Sequence, residues 1–172
     1  MKNLLVALFA ALLMAGCVNT SKSNKPLIVL QEAPQFTLRN VNGGELKSSD
    51  LRGKVIVLDF WATWCVPCKI EIPEYNKLRA KFKDKGVEFV GVTFDSGSIE
   101  KVVPAVKELG MEYPVAMGSD FIDAALGGHF GYPTTFLIGK DWKVYRKISG
   151  SVPTKMSDLE RDITALLAKP ED

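Results

Sequence analysis

The sequence predicts an α/β domain. From about residue 31, short apolar segments typical of buried strands alternate with segments of helical periodicity. The chain has 172 residues, of which 47% are hydrophobic and 24% charged, a composition that suits one substantial core. No internal repeat and no second domain are visible in the sequence. We therefore expect a single folded domain over residues 31–168.

The first half of this domain contains two candidate strands and a helix. Residues 35–38 form a short strand candidate, and Asn42-Gly43-Gly44 is typical of a turn. Residues 54–60 are rich in Val, Ile and Leu, which suits a strand that is buried on both faces. Residues 70–82 then have helical spacing, and we expect Pro73 to bend this helix.

The second half continues the alternation. A second buried strand is predicted over residues 87–94, and an amphipathic helix over 99–109, whose regular part Pro104 limits. Residues 134–138 and 143–148 are predicted to form a β-hairpin.

The last helix has a candidate start signal. Ser157 and Glu160 have the spacing of a capping box, in which the side chains at the helix start bond to backbone N–H groups. This pattern predicts a final helix from that point through Leu167.

Two cysteines separated by two residues lie where the first buried strand passes into the first helix. A free thiol has a pKa of about 8.5, whereas the attacking species in disulfide exchange is the thiolate. At the first helical turn, unpaired N–H groups and the helix dipole favour the thiolate of Cys65. Cys68 lies within reach to resolve a mixed disulfide. Pro67 fits the first turn, where its missing N–H costs little. The pattern predicts a redox-active disulfide with no further cofactor and no metal.

Three simpler roles for this cysteine pair remain open. A structural disulfide is one, although the loop-entropy model assigns only about 2 kcal/mol to so short a loop. A zinc site is another, but it needs four ligands, and the remaining candidates are His129 and Cys17. The third is an incidental pair of core cysteines.

The N-terminus has the pattern of an export signal. Lys2 precedes an apolar run over residues 4–15, which is too short to span a bilayer comfortably but suits a signal peptide. The run ends in Leu-Met-Ala-Gly-Cys at residues 13–17, which resembles the lipobox of bacterial lipoproteins. That resemblance implies cleavage of residues 1–16 and lipid attachment at Cys17. Residues 17–30 would then be the lipidated N-terminus and a flexible tether.

The charge of the chain excludes one class of partner. It carries 22 basic and 20 acidic side chains, for a formal net charge of +2. Nucleic-acid-binding domains typically carry a strong basic excess, so we expect no nucleic-acid partner.

Several motifs together resemble the thioredoxin superfamily, and its TlpA/ResA-like branch in particular. The main motif is Val-Leu-Asp-Phe-Trp-Ala-Thr-Trp-Cys-Val-Pro-Cys at residues 57–68, which is followed by Glu71 and Pro73. Three further segments match, at residues 33–38, 51–54 and 131–138. The resemblance covers residues 31 to about 165. It implies the thioredoxin fold, a central mixed sheet flanked by helices, with an N-terminal strand extension and a central insertion.

The resemblance also implies roles for single residues. Cys65 matches the exposed nucleophile, and Cys68 the buried resolving thiol. Pro133 matches a proline that follows a cis bond and packs beside the disulfide, and the Tyr132-Pro133 backbone would pair with an extended substrate. Trp64 is expected to shield the site and frame the substrate contact.

Two acidic residues are candidate proton acceptors. Glu71 matches an acidic residue near the dithiol in the TlpA/ResA-like branch, and Asp59 matches the buried carboxylate of thioredoxin, where this branch more often has asparagine. Burial should raise the pKa of Asp59 and suit it to take a proton from Cys68. The lysine that partners this aspartate in thioredoxin is missing from the matching strand, which reads Val90-Gly91-Val92. Asp59 is therefore expected to titrate alone or to couple to Glu71.

These features predict an extracytoplasmic thiol-disulfide oxidoreductase, lipid-anchored to a bacterial membrane and acting as a monomer. The location would be periplasmic in a Gram-negative cell. The resemblance implies protein disulfide substrates, such as cytochrome c precursors, and re-reduction by a thiol-reducing electron donor in the membrane.

Two other functions are open. The segment 34–38 also occurs in peroxiredoxin-like thiol peroxidases, but their motif has threonine where this chain has Ala62. A copper-binding chaperone module on the same fold is the other alternative, and His129 would be its candidate histidine ligand.

Overall fold

The computed structural model describes residues 27–170. The predicted signal peptide, Cys17 and most of the predicted tether lie outside this range. No helix between residues 27 and 170 is both long and apolar enough to cross a membrane.

The described residues form strands and helices in alternation, close to the predicted order. In chain order the strands are β1 (Gln31–Glu32), β2 (Thr37–Arg39), β3 (Glu45–Lys47), β4 (Val55–Trp61), β5 (Val87–Thr93), β6 (Val115–Met117), β7 (Thr134–Ile138) and β8 (Lys143–Ser149). The α-helices are α1 (Val66–Phe82), α2 (Ile99–Glu108), α3 (Asp120–Ala125) and α4 (Lys155–Leu167), and a 3₁₀ helix covers Ser48–Leu51.

Six strands form a mixed sheet in the order β1-β8-β7-β4-β5-β6. The β4-β5 and β5-β6 pairs are parallel, whereas β7 is antiparallel to both β4 and β8. Strands β2 and β3 form a separate antiparallel pair. The predicted mixed sheet is confirmed, with β1 as an N-terminal addition to one edge and β6 and α3 inserted between β5 and β7.

Strand β4 lies in the middle of the sheet, and all seven of its residues are buried. Successive side chains of a strand point to opposite faces. Val55 and Val57 accordingly pack with helices α1 and α4 on one face. Ile56 and Leu58 pack on the other face with the segment around β2 and with α3. Burial of each such side chain stabilises the fold by about 1.5 to 3 kcal/mol, so this strand is held rigidly at the centre of the core.

Two predicted boundaries are wrong. The first strand covers Thr37–Arg39 instead of 35–38. The Phe36 carbonyl accepts the Ser48 N–H, but the Phe36 N–H donates to the Ser48 side-chain Oγ and not to a backbone carbonyl, so the regular pairing begins at Thr37. The capping box at Ser157 is also wrong. The N–H of Asp158 already donates to the Thr154 carbonyl, so α4 begins at Lys155 and Ser157 lies inside its first turn.

Candidate active site

The two cysteines lie where β4 ends and α1 begins. The N–H of Cys65 donates to the Ala62 carbonyl at 3.0 Å, which closes a turn after the strand. Cys65 is the N-cap of α1, and its Sγ accepts the N–H of Cys68 at 3.2 Å. Pro67 lies within the first turn. The predicted direction of a backbone N–H toward the Cys65 sulfur is confirmed.

Cys65 and Cys68 form a disulfide with their Cα atoms 5.4 Å apart. Both are buried, with only 3% of Cys65 and 1% of Cys68 exposed. The expected exposure of Cys65 is therefore wrong for this oxidised state, whereas the expected burial of Cys68 is confirmed. The reason is that both sulfurs belong to an apolar cluster with Trp61 and Ala62, against which Tyr132 also packs.

The Tyr132-Pro133 peptide bond is cis, as predicted. The Pro133 carbonyl accepts the N–H of Gly150 at 2.7 Å, and the Thr134 hydroxyl donates to the Gly131 carbonyl at 2.8 Å. These bonds attach the segment that contains the proline to the end of β8 and fix its backbone.

Trp64 and Tyr132 share a partner that sequence reasoning missed. The indole Nε1 of Trp64 donates to the Asp95 carbonyl at 2.9 Å, and the Tyr132 hydroxyl donates to the Asp95 carboxylate at 2.8 Å. Burial, together with this carboxylate, raises the pKa of Tyr132. Asp95 has a φ of +49°, a conformation in which aspartate is enriched, and its position two residues after the end of β5 is the only signal that the sequence offers.

His129, the candidate metal ligand, lies in the loop between α3 and β7. Its Nδ1 is 2.6 Å from the Asp123 carboxylate, and its ring packs on those of Phe94 and Tyr132. Within residues 27–170, no group of three or more His, Cys, Asp or Glu side chains is arranged to hold a metal ion.

Asp59 is buried on β4 below the helix layer. Its Oδ1 accepts hydrogen bonds from the hydroxyls of Thr135 at 3.0 Å and Tyr75 at 3.3 Å. Burial raises the pKa of Asp59 to about 7. The charge of Lys155 opposes this rise, and the charge of Glu71 adds to it. The rise in the pKa of Asp59 agrees with the prediction, and of the two predicted alternatives the influence of the Glu71 charge favours coupling.

Glu71 is buried on α1, and its partner is a residue that sequence reasoning missed. The Lys155 Nζ donates to the Glu71 Oε2 at 2.8 Å, and only 1% of the Lys155 side chain is exposed. The matching strand has no lysine, as expected, but α4 supplies Lys155, whose charge acts on Asp59. The signal was present in the helix periodicity, since Lys155 shares one stripe with the buried Leu159 and Ile163.

Comparison with known proteins agrees with this geometry. The AhpC/TSA family model matches residues 29–147. A thiol-disulfide oxidoreductase ResA of Bacillus cereus is 41% identical over 122 residues, which cover 70% of this chain and 69% of the relative. The chain belongs to the ResA-like oxidoreductases of the AhpC/TSA family. This oxidoreductase thus has Cys65 and Cys68 as its Cys-x-x-Cys pair.

Solved structures agree on the fold of the oxidoreductase. One, named as a thiol:disulfide interchange protein DsbE of Chlorobium tepidum, superposes with a TM-score of 0.74 at 35% identity. It covers 83% of this chain and 100% of its own. Another from the same organism, named as a thiol:disulfide interchange protein of the thioredoxin family, has a TM-score of 0.72 at 30% identity. It covers 84% of this chain and 100% of its own. The predicted thioredoxin fold is confirmed.

Proposed function

We propose that this oxidoreductase reduces disulfides in exported proteins from the extracytoplasmic side of a bacterial membrane. The observation that carries the proposal is the Cys65 sulfur, which accepts a backbone N–H at the start of α1. A helix N-terminus stabilises a thiolate, so it makes Cys65 the attacking sulfur of disulfide exchange in either direction. The direction, reduction of the substrate, rests on the resemblance to the TlpA/ResA-like branch and on the buried proton acceptor Asp59.

In the first step, the Cys65 thiolate attacks one sulfur of a substrate disulfide. The substrate S–S bond breaks, a mixed disulfide forms between Cys65 and that sulfur, and the electron pair leaves on the other substrate sulfur. That sulfur takes a proton from solvent. Because the helix start stabilises the thiolate of Cys65, this residue is the attacking thiol and Cys68 the resolving one.

In the second step, Cys68 gives its proton to Asp59 and attacks Cys65. The bond between Cys65 and the substrate breaks, and the substrate leaves as a thiolate. One disulfide is thereby reduced by two electrons while the dithiol is oxidised. A base whose pKa is near the working pH is best suited to such a transfer, and Asp59 at about 7 meets this condition. Glu71 assists, because its negative charge raises the pKa of Asp59.

The substrate chain lies along the segment that precedes Pro133. The Pro133 carbonyl is already bonded to Gly150, and proline has no N–H, so the backbone of Tyr132 is the group that pairs with an extended substrate. Trp64 is 60% exposed and packs edge to face on Tyr132, so it offers an apolar contact beside the dithiol.

The proposed location rests on the sequence of residues 1–17, and the proposed partners rest on the resemblance to the TlpA/ResA-like branch. Residues 1–16 act as a signal peptide, and lipid on Cys17 tethers the domain to the membrane. The oxidoreductase works as a monomer, a thiol-reducing donor in the membrane renews its dithiol, and exported proteins such as cytochrome c precursors are its substrates. No cofactor beyond the Cys65–Cys68 disulfide takes part.

The reduction potential of the Cys65–Cys68 couple tests the direction of electron flow. Thioredoxin-fold proteins span about −270 mV for reductants to about −120 mV for oxidants. We expect a value near the reducing end, together with reduction of insulin disulfides by the reduced protein. A potential near the oxidising end would overturn the assignment as a reductase.

A Cys17→Ser variant tests the anchor. We expect the full chain in the membrane fraction and the variant in the extracytoplasmic soluble fraction, with the same specific activity on a soluble disulfide. Equal partition of both proteins would contradict lipid attachment at Cys17.

The two alternative functions have their own readouts. A thiol peroxidase would consume hydrogen peroxide, and Cys68→Ser would lower this activity less than it lowers disulfide reduction. A copper module would bind the metal stoichiometrically and lose it in His129→Ala. Either result, in a protein without disulfide reductase activity, would replace the proposed function.

A further inference from the structure

Lys155 is a buried cation at the first residue of α4. Burial strongly disfavours a lone ammonium group, so such a lysine is retained only with a compensating partner. Its partner is the Glu71 carboxylate, which is itself only 8% exposed. The lysine therefore couples α4 to the second turn of the helix that carries the dithiol.

A third charged group interacts with this pair. The carboxyl of Asp59 on β4 is influenced by the charge of Lys155 and by that of Glu71, in opposite directions. Two neutral hydroxyls also bond to Asp59. Tyr75 on α1 and Thr135 on β7 bond to Asp59, and Tyr113, in the loop before β6, packs its ring on that of Tyr75. Burial is the largest influence on Asp59, and the Lys155–Glu71 ion pair supplies the charges that act on it next.

We propose that Lys155 is a positioning residue for disulfide exchange. Its ammonium group holds the Glu71 carboxylate in place and sets the proton affinity of Asp59 during the step in which Cys68 loses its proton. This rests on the proton-acceptor role of Asp59 in the proposed function. Lys155 itself takes no part in the transfer, because the proton passes from the Cys68 sulfur to the Asp59 oxygen.

The sign of the effect follows from the charges. In the intact pair the two opposite charges partly cancel at Asp59. Removal of the carboxylate alone leaves an unbalanced positive charge, which favours ionised Asp59. Removal of the ammonium alone leaves a negative charge, which favours protonated Asp59. A nearby opposite charge can change a carboxyl pKa by roughly one to three pH units, and both charges of the pair act on Asp59, so the effects are large enough to measure.

The test is the pH profile of the resolution step in the full chain. The mixed disulfide is preformed with a single-cysteine peptide, and release of the peptide is followed from pH 5 to 9. The rate of release should rise with pH, and the pH at half of the maximal rate is the midpoint that we compare. We expect Glu71→Gln to move this midpoint to lower pH by about one unit, and Lys155→Met to move it to higher pH. The double variant should lie close to the wild type, and Lys155→Arg, which keeps the charge, should do the same.

A matched control is available on the same helix. Lys77 and Glu74 form an ion pair at 2.7 Å on the exposed side of α1. Because water screens this pair, Lys77→Met should leave the midpoint unchanged although it removes the same charge.

Two results would overturn the role of Lys155. The first is a shift in the same direction for Glu71→Gln and Lys155→Met. The second is a shift for both that is no larger than that of Lys77→Met. If Lys155→Met alone does not fold, Glu71→Gln is compared with the double variant. These two proteins differ only in the Lys155 ammonium group, so an identical midpoint in both overturns the inference.

Asp59→Asn separates this inference from the proposed function. If the wild-type midpoint persists in Asp59→Asn, the proton-acceptor role of Asp59 fails. If the midpoint is lost in Asp59→Asn but does not respond to the Lys155 variants, only the role of Lys155 fails.

Discussion

Trp64 and Tyr132 pack edge to face with their ring centroids 5.5 Å apart, and both bond to Asp95. Trp64 precedes Cys65, and Tyr132 precedes Pro133. The residue before the first cysteine and the residue before the cis proline are therefore held by one aspartate in the loop after β5. The contacts among Trp64, Tyr132 and Asp95 fix the two sides of the candidate substrate site relative to each other.

Tyr132→Phe should weaken substrate binding without changing the dithiol. The variant loses the bond from the hydroxyl to the Asp95 carboxylate, and bonds to charged groups contribute about 1.5 to 3 kcal/mol when protected, less when partly exposed. We expect the KM for a protein disulfide to rise by roughly threefold to tenfold, with the reduction potential unchanged. Asp95→Asn is the paired variant, and a larger effect on kcat than on KM in both would contradict a binding role.

Cys68→Ser should trap a mixed disulfide. Cys65 keeps its place at the start of α1 and attacks the substrate, but no thiol is present to resolve the product. We expect a covalent adduct of the substrate with Cys65, detected by mass spectrometry, and loss of turnover. Cys65→Ser serves as the control and should yield neither adduct nor turnover, because the backbone N–H at the start of α1 stabilises the thiolate of Cys65 and not that of Cys68. An adduct on Cys68 in that control would reverse the assigned roles.

The stability of Asp59→Asn relative to the wild type should be greater at high pH than at low pH. The pKa of Asp59 is about 7 in the folded protein against an ordinary value of 3.8. Between these values the unfolded chain loses the proton first, so the free energy of unfolding falls as pH rises from about 4 to about 7. This cost reaches an upper bound on the order of 4 kcal/mol and is absent from the asparagine variant.

Urea unfolding at pH 4 and pH 8 measures this effect. The expected result is that the stability of Asp59→Asn relative to the wild type increases between the two pH values. The exposed Asp50 supplies the control, since Asp50→Asn should give nearly the same difference at both. A pH-independent difference for Asp59→Asn would mean that its carboxyl is not buried in protonated form.

Gly118→Ala should destabilise the fold next to the site. A Cβ at Gly118 would overlap the ring of Phe94, which packs on Phe60 and on His129. Overpacking of this kind costs about 1 to 3 kcal/mol. Thermal unfolding measures the loss, and Phe94→Leu in the same background should recover part of it by making room for the methyl group. Equal stability of Gly118→Ala and the wild type would contradict the tight contact.

Local patterns were sufficient to predict most of the fold. Strands 87–94 and 134–138 and the helix over 99–109 end within one residue of their observed bounds, because each has a clear apolar period and a turn signal beside it. The short strand β6 and the six-residue helix α3 were not predicted. Three or six residues are too few for a period to be recognised, and these elements exist because β5 and the core offer them a partner.

The sequence by itself determined the dithiol, its place between a buried strand and a helix, and the cis proline segment, since each depends on residues close together in the chain. The tertiary structure alone decided which charged and polar groups meet at the site. Lys155 meets Glu71 across 84 positions, and Asp95 meets Tyr132 across 37. Such contacts depend on how α4 packs on α1 and where β5 ends, and no local periodicity encodes them. Periodicity shows that Lys155 is buried, but only packing shows which charge it neutralises.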